Sequence, residues 1–413
     1  MVSLRSTIII FYLAFVSGQC NNGLNIKSQE DVDSVSDCTR ILGDVLISDS
    51  ALNEIELTNL EQIDGDVFIK ENVYLTSLKL DGLSYISGNL FVQNNKALTE
   101  FSAKSLSTVK NFTASSNLNL VELDLTSLSQ VSNFKISSNL ISSLEIDNLV
   151  NSQNIAIEFN PLLEHISFNK LAACVGTLYF HDNPSFPDVQ LPNLSTVIGN
   201  AFFGNVSKLT ASKMINVGGQ LNFYENSFQE LSLESLNRLY YSLTFSQNGN
   251  LDSIFMPSLE IIGSTLILSN NDNILGIQND AFPKLSTIDN IIIDGRNIEV
   301  LSLPGIKRIY GSVIIVSSRC VKCESIFSQI GKLVFGYFDC RRSVNYSLTP
   351  TTTLTMNTLQ DSPTETCPAA TFLTREYYPS TSSLPSMGSF SFTKSFSLSQ
   401  TLLIVGVISI TMI

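Results

Sequence analysis

The carboxylates and histidines are the side chains from which an acid–base or metal site would have to be built. A glycoside-cleaving site needs two carboxyl groups held close together, and a metal site needs several ligands at suitable spacing. The only two histidines, His165 and His181, stand at different offsets within their segments. The acidic residues that follow turns in the sequence form no repeated pair: Asp182, Glu225, Asp252, Asp272 and Asp294. We therefore predict no catalytic residues, no metal site and no cofactor.

A β-helical polysaccharide-active enzyme is the alternative that these residues would have to support. The segment Asn270–Asn273 has the composition of a calcium loop, but it lacks the glycine and the terminal glutamate of an EF-hand. No G-x-S-x-G or Ser-His-Asp arrangement is evident. We interpret the acidic residues as solvated turn residues.

Seven cysteines indicate an oxidising compartment and structural disulfides. The C-x-x-C formed by Cys320 and Cys323 would also suit a redox or zinc motif, but no second C-x-x-C completes a zinc set. Cys174 is internal, and we predict a buried apolar role for it. The other six cysteines are Cys20, Cys38, Cys320, Cys323, Cys340 and Cys367. We predict one disulfide between Cys20 and Cys38 and two disulfides among the last four of these cysteines.

Asparagine recurs at a fixed place in a repeated pattern, G-x-φ-x-φ-x-x-N, where φ is apolar. Successive asparagines are 21 to 23 residues apart, with one double step between Asn183 and Asn226. An amide on an inward turn can pair backbone groups that the turn leaves unpaired, whereas a sugar-binding site would be local. We therefore predict a structural ladder formed by Asn72, Asn95, Asn117, Asn139, Asn160, Asn183, Asn226, Asn248 and Asn270.

Each repeat also contains a second apolar pattern, as in Leu80–Ile86 and Leu191–Val197. The apolar residues alternate with period two, and no helical apolar stripe is sustained over ten residues of this region. Repeats of this size cannot bury their apolar edges alone, so they stack. The sequence predicts an all-β, right-handed, strand-based solenoid of about twelve coils with a short N-terminal capping helix.

The two ends predict targeting signals and a surface location. Residues 1–18 have the charge and apolar run of a signal peptide, and 387–413 have the polar spacer and apolar end of a GPI-attachment signal. Ser386 is the preferred attachment residue and Ser389 the alternative. Between them we predict the solenoid at 19–340 and a Ser/Thr/Pro-rich stalk at 341–386.

A net charge of −13 gives the chain no basic footprint for nucleic acid. The expected partners are a membrane, through a GPI lipid, and cell-wall polysaccharide or wall-synthesis proteins. Four sequons mark candidate N-glycosylation sites in a secreted chain: Asn111, Asn193, Asn205 and Asn345.

The segment Ile26–Ile47, a capped helix, a cysteine and a first G-D-φ-x-I strand, resembles the entry of a receptor L-domain. With the coils, the C-terminal cysteines and the GPI signal, the chain resembles the fungal family of GPI-anchored cell-wall organisation proteins, which includes sporulation-specific and extracellular-mutant types. The resemblance implies a non-catalytic role in organising the wall, including ascospore-wall assembly. It also implies a place on the extracellular face of the plasma or forespore membrane, or in the wall.

A ligand-binding receptor-like module is a further alternative, because L-domains elsewhere bind proteins on a sheet face. Four aromatic residues stand between inward positions and so face outward: Phe68, Phe91, Tyr179 and Phe202. They could contact a ligand, but we favour ring contacts between neighbouring strands that stabilise the sheet.

The missing ladder step predicts which way one sequon faces. Residues 199–205 are one residue short of the repeat, so the ladder position falls on Val206 and Asn205 points outward. We expect Asn205 to carry an N-glycan. Peptide mapping after glycosidase treatment tests this, and an unmodified Asn205 would count against it.

Overall fold

The structure, a computed structural model, describes residues 19–21, 23–318 and 321–342. The predicted signal peptide, the GPI-attachment signal and all but the first two residues of the predicted stalk lie outside the described residues. The individual positions that fall there are Cys320, Asn345, Cys367, Ser386 and Ser389.

The chain folds into a parallel β-solenoid of about 14 turns, which confirms the all-β solenoid predicted from the repeats. Every strand pair in the described residues is parallel, and the largest sheet has 25 strands. The sequence predicted about twelve coils. The difference arises at the ends, where Leu24–Ile26 and Phe338–Arg342 stack as strands outside the segment that carries the repeat. The right-handed sense of the coil stays a prediction.

Successive turns build three stacks of strands, and some long strands serve the first two stacks together. The strands of the first stack are Gln19–Asn21, Arg40–Leu42, Gln62–Asp64, Tyr85–Ile86, Asn151–Ser152, Ala173–Cys174, Thr196–Val197, Asn216–Val217, Arg238–Leu239 and Arg308–Ile309. The strands of the second stack are Leu24–Ile26, Val45–Ser48, Val67–Lys70, Asn89–Gln93, Asn154–Glu158, Leu178–His181, Ala201–Gly204, Leu221–Tyr224, Leu243–Ser246, Val313–Ser317 and Phe338–Arg342. The shared strands are Thr108–Ser115, Gln130–Ser137, Ile261–Ser269 and Thr287–Gly295.

The third stack consists of short strands grouped in four smaller sheets. Its members are Glu54–Glu56, Ser77–Lys79, Glu100–Ser102, Glu122–Asp124, Ser143–Glu145, His165–Ser167, Asp188–Gln190, Lys208–Thr210, Glu230–Ser232, Ser253–Phe255, Gly276–Ile277 and Val300–Leu301.

Alternate residues of every strand point into the solenoid and form one apolar core. Inward phenylalanines on neighbouring turns stack on one another, with ring centroids 5.4 Å apart for Phe112 and Phe134 and 5.1 Å apart for Phe223 and Phe245. Because the side-chain period of a strand is two, the residues between them face outward at the same place in each turn. The outward surface is therefore made of columns of residues, one per turn.

A ladder of buried asparagines lies inside the turns that follow most of the second-stack strands. The Asn95 side-chain nitrogen donates to the carbonyl oxygen of Ile69 at 2.9 Å and to the side-chain oxygen of Asn117 at 3.0 Å. The Asn95 backbone N–H donates to the same Asn117 oxygen at 3.1 Å. Each amide thus pairs backbone groups of the preceding turn and bonds to the asparagine of the next turn, as a structural ladder requires.

The ladder passes through Asn271, so the assignment of Asn270 was wrong. Asn271 is buried and accepts from the Asn248 backbone N–H at 2.9 Å, whereas Asn270 is exposed at a φ of 54°. The repeat pattern that begins at Gly263 predicts that Thr265 and Ile267 point into the core, but the structure buries Leu266 and Leu268 instead. Because apolar or β-branched residues occupy both faces of this strand, the alternation did not reveal the one-residue shift.

Val206 occupies the ladder position in the turn where the asparagine is missing. It is buried, and its backbone N–H donates to the Asn226 side-chain oxygen at 2.8 Å. Asn205 precedes it with a φ of 54°, the left-handed conformation that residues before the ladder position adopt in most turns. The side chain of Asn205 therefore stays out of the core.

Disulfides and short helices close the two ends of the described solenoid. Helix Gln29–Ser34 is the predicted N-terminal capping helix, and Cys20 pairs with Cys38 beside it. At the other end, helix Cys323–Ile330 leads into the 3-10 helix Gly331–Leu333, and Cys323 pairs with Cys340. Within the described ranges, neither helix has the length and apolar character that crossing a bilayer requires.

The corrected ladder position can be tested with two neighbouring substitutions. Asn271→Ala should lower the free energy of unfolding by about 3 kcal/mol, because it leaves buried backbone groups unpaired. Asn270→Gly is the matched control and should change it by less than about 0.5 kcal/mol, since glycine adopts the left-handed conformation readily. Urea denaturation followed by circular dichroism measures both, and equal losses would contradict the assignment.

Candidate functional site

A groove crosses the outward side of the first stack. Its volume is about 630 Å³, which lies in the range of ligand sites. A second cavity, beside the third stack, is about 210 Å³ and too small for a chain of sugars. We call the first the amide groove; its polar lining includes Tyr85, Thr108, Lys110, Gln130, Asn151 and Gln153.

The stacking of turns brings these side chains together although they are far apart in sequence. Thr108 is in register with Tyr85 and with Gln130, and Gln130 is in register with Asn151. In the turns of Thr108 and Gln130 a single strand serves both stacks, with no turn between them. Because its lining residues come from neighbouring turns, the groove runs parallel to the direction in which the turns stack.

Three amide side chains in the groove have no hydrogen bond to any described residue: those of Gln130, Asn151 and Gln153. Each carries two donors and an acceptor oxygen, the groups that pair with the hydroxyls of a sugar. The outward amides of the second stack differ, because Asn111 donates to the Asn89 oxygen at 2.6 Å and accepts from Asn133 at 2.6 Å. Those amides serve each other, whereas the groove amides are available to a ligand.

The floor of the groove is apolar and firmly packed. Val109 and Val131 are buried beneath it, and the Ser152 hydroxyl donates to the Ser132 carbonyl oxygen at 2.9 Å. Cys174 lies in register with Ser152 and is the free cysteine of the described chain, fully buried as predicted. Burial raises the pKa of the Cys174 thiol to about 11. The floor is therefore closely packed, and the thiol buried beside it stays protonated and unreactive.

The residues that line the groove include no carboxylate and no imidazole. Lys110 supplies the one charged side chain of the lining, and it is exposed. Glycosidic bond cleavage requires a general acid and a second carboxylate on opposite sides of the bond. The groove offers amide and hydroxyl groups, but its lining does not contain the pair of carboxyl groups that this cleavage requires.

The acidic residues and histidines weighed from the sequence are dispersed over the surface. His165 lies on a third-stack strand and His181 on a second-stack strand, so they share no site. Nδ1 of His181 lies 2.8 Å from an Asp182 carboxylate oxygen, beside it rather than in line for a hydrogen bond. Asp272 lies 3.7 Å from Arg296. Among the described residues, no three potential ligands come together at a metal-binding distance.

The predicted outward aromatics contact one another on the second stack. The rings of Phe68 and Phe91 stack 5.3 Å apart, and Tyr179 meets Phe202 edge-on at 5.7 Å. All four side chains are half-buried. These contacts favour the ring-stacking interpretation over ligand contact.

The three described sequon asparagines differ in how their side-chain nitrogens are used. The nitrogen of Asn111 donates to Asn89, and that of Asn193 donates to the Asn169 carbonyl oxygen at 2.6 Å. Asn205 accepts from the Asp182 backbone N–H at 3.2 Å, and its nitrogen has no partner among the described residues. At Asn205, the side-chain nitrogen to which an N-glycan would be attached therefore makes no hydrogen bond to a described residue. Glycosylation of Asn205 stays a prediction.

Comparison with known proteins gives several similar fungal proteins. The chain is 32% identical to a cell surface GPI-anchored protein of Arthroderma benhamiae, over 78% of this chain and 82% of that protein. It is 26% identical to protein ecm33 of Aspergillus fumigatus, over 80% of this chain and 82% of that protein. It is 30% identical to sporulation-specific protein 2 of Saccharomyces cerevisiae, over 46% and 37%. No family model and no solved structure matches the chain.

The buried thiol gives a test of the groove floor. Because burial raises the Cys174 pKa to about 11, iodoacetamide at pH 8 should leave Cys174 unlabelled in the folded protein and label it in denaturant. The stability that comes from keeping this thiol neutral should be lost as the pH rises from the unfolded value, about 8.5, through about 11. Peptide mass spectrometry measures the labelling, and rapid labelling of folded protein would contradict the packed floor.

Proposed function

The chain belongs to the fungal family of GPI-anchored cell-surface proteins, and from that premise we propose that it organises the cell wall without catalysing a reaction. In this proposal it binds wall polysaccharide in the amide groove and holds it near the membrane. The observation that carries the proposal is the group of unpaired amides in the groove: Gln130 and Asn151, which are in register on neighbouring turns, and Gln153, which lies in the same turn as Asn151.

The chemistry of the groove supports binding rather than cleavage. Its lining offers amides, hydroxyls and one cation, with apolar Val150 and Val175 at its margin. Neutral hexose polymers present hydroxyls around their rims and less polar ring faces, which such a surface matches. The lining of the amide groove has no carboxylate and so lacks the groups of a glycosidase, and this groove therefore does not support the polysaccharide-active enzyme.

The proposal also covers the developmental stage at which the protein acts. A relative is named for sporulation and another for ecm33, so we propose a role in wall organisation that extends to ascospore-wall assembly. A GPI lipid, attached at Ser386 or Ser389, would hold the solenoid at the plasma or forespore membrane. The short stalk would keep the groove close to the inner side of the growing wall.

Binding by the purified ectodomain tests the proposed function. The wild-type protein should bind soluble β-glucan or chitin oligosaccharides saturably on a glycan array and release no shorter product. The double substitution Gln130→Ala with Asn151→Ala should weaken binding about tenfold or more, since each lost hydrogen bond contributes about 1 kcal/mol. Asn222→Ala, an outward amide on the second stack, is the control and should leave the affinity unchanged.

Two results would contradict this reading of the groove. Released oligosaccharide would show an enzyme, and equal affinity of the double variant and the wild type would place binding elsewhere. Melting temperatures of both variants should match the wild type, because the substituted side chains make no strong internal hydrogen bond.

Deletion and complementation test the role in the wall. A deletion strain should show disordered vegetative or spore walls by electron microscopy, and the wild-type gene should restore them. The groove double variant should fail to restore them although it reaches the surface at normal abundance, while the Asn222→Ala control should succeed. Full rescue by the groove variant would contradict a role for the groove.

A further inference from the structure

An exposed apolar strip continues from the end of the amide groove into the following turns. Val175 is followed at the same position of successive turns by Ile198, Gly218 and Tyr240, as the pairing of Cys174, Val197, Val217 and Leu239 establishes. Val175 is 51% exposed, Ile198 57% and Tyr240 54%. We call these four residues the apolar strip.

The strip stands out because three large apolar side chains with this exposure are aligned in one column, on two neighbouring turns and, past Gly218, on a third. Single exposed apolar residues are ordinary on protein surfaces, but contiguous ones mark interaction sites. The Tyr240 ring contacts the Arg238 guanidinium, 5.7 Å from the ring centroid, and is flanked by Gly218 and Gly263 in the turns on either side. Those glycines have no side chain that could cover the ring.

The groove and the strip lie on one face that is free of carboxylates in an acidic protein. The residues that line up with the groove in successive turns are neutral or basic: Tyr85, Thr108, Gln130, Asn151, Ala173, Thr196, Asn216 and Arg238. In the strip column, acids return at Asp64 before the groove and at Asp289 beyond the strip. The chain carries 37 acidic residues, and this face is kept clear of them; the hydrogen-bonding groups that it offers are mostly uncharged amides and hydroxyls, which match a neutral, hydroxyl-rich ligand.

We infer that the amide groove and the apolar strip are one continuous site for an extended neutral β-glucan chain lying along the stacking direction. At about 4.8 Å per turn, the distance from Tyr85 to Tyr240 is about 34 Å. The groove amides bind hydroxyls, and the strip packs against the ring faces of later sugars, with Tyr240 as an aromatic platform. The inference rests on the proposed function and specifies its ligand.

The dependence of affinity on oligosaccharide length tests the continuous site. Isothermal titration calorimetry with β-glucan oligosaccharides from the trisaccharide to the decasaccharide should show affinity that rises with length and then levels off. Tyr240→Ala should weaken binding of the decasaccharide about tenfold and leave the trisaccharide unchanged, because only the long ligand reaches the strip. Tyr74→Ala, at a tyrosine that is 61% exposed outside this face, should change neither.

The outcomes separate this inference from the proposed function. Binding that is independent of length, or a Tyr240→Ala variant with wild-type affinity for the decasaccharide, would overturn the continuous site and leave the groove standing. The inference would also fall if Tyr240→Ala abolished self-association seen by light scattering, since the strip would then be an interface between two copies. If the wild type bound no β-glucan of any length, the ligand assigned here would be wrong; saturable binding to chitin would then preserve the proposed function.

Discussion

The solenoid depends on pairing the backbone groups that each tight turn would otherwise bury without a partner. The residue before the ladder position adopts a left-handed conformation, which turns the chain sharply and exposes carbonyl and N–H groups to the interior. A buried unpaired backbone group costs about 1–3 kcal/mol, and the cost would recur in every turn. The inward asparagines remove it, because each amide supplies both donors and an acceptor at the place where the turn needs them.

This ladder also fixes the chemistry of the outer surface. Since neighbouring ladder asparagines bond to one another at a constant place, the turns that carry them stack in register and their outward positions form columns. The columns then differ in how their side chains are hydrogen-bonded. Asn89, Asn111 and Asn133 bond to one another on the second stack. At the groove, the first stack instead presents amides without internal partners, and the turns from Tyr85 to Tyr240 carry no acidic residue in these columns. A polymer-binding face on a repeat protein follows from this division, because a repeating ligand meets a repeating surface.

Much of the fold could be predicted from the sequence, because the buried asparagine is both chemically specific and regularly spaced. The prediction failed at Asn270, where Leu266 and Ile267 are both apolar and the alternation no longer distinguishes inside from outside. It undercounted the turns at the ends, where the strands Leu24–Ile26 and Phe338–Arg342 lie outside the segment that carries the repeat. Ser50 takes the ladder position in place of asparagine in one turn, and its backbone N–H donates to the Asn72 side-chain oxygen at 3.0 Å. The amide groove was missed because Tyr85, Gln130 and Asn151 are ordinary polar residues in sequence. Aligning the repeats on their first strand would have shown a column without acidic residues, and that column is the sequence feature from which the groove could have been predicted.

Hydrogen exchange of the purified ectodomain, with and without soluble β-glucan, tests the central claim most directly. Ligand should slow exchange in the backbone of 85–87, 108–110, 130–132 and 151–153, which form the groove, and leave the outward aromatic region at Tyr179 and Phe202 unchanged. Protection confined to the second or third stack, or none at saturating β-glucan, would contradict the account.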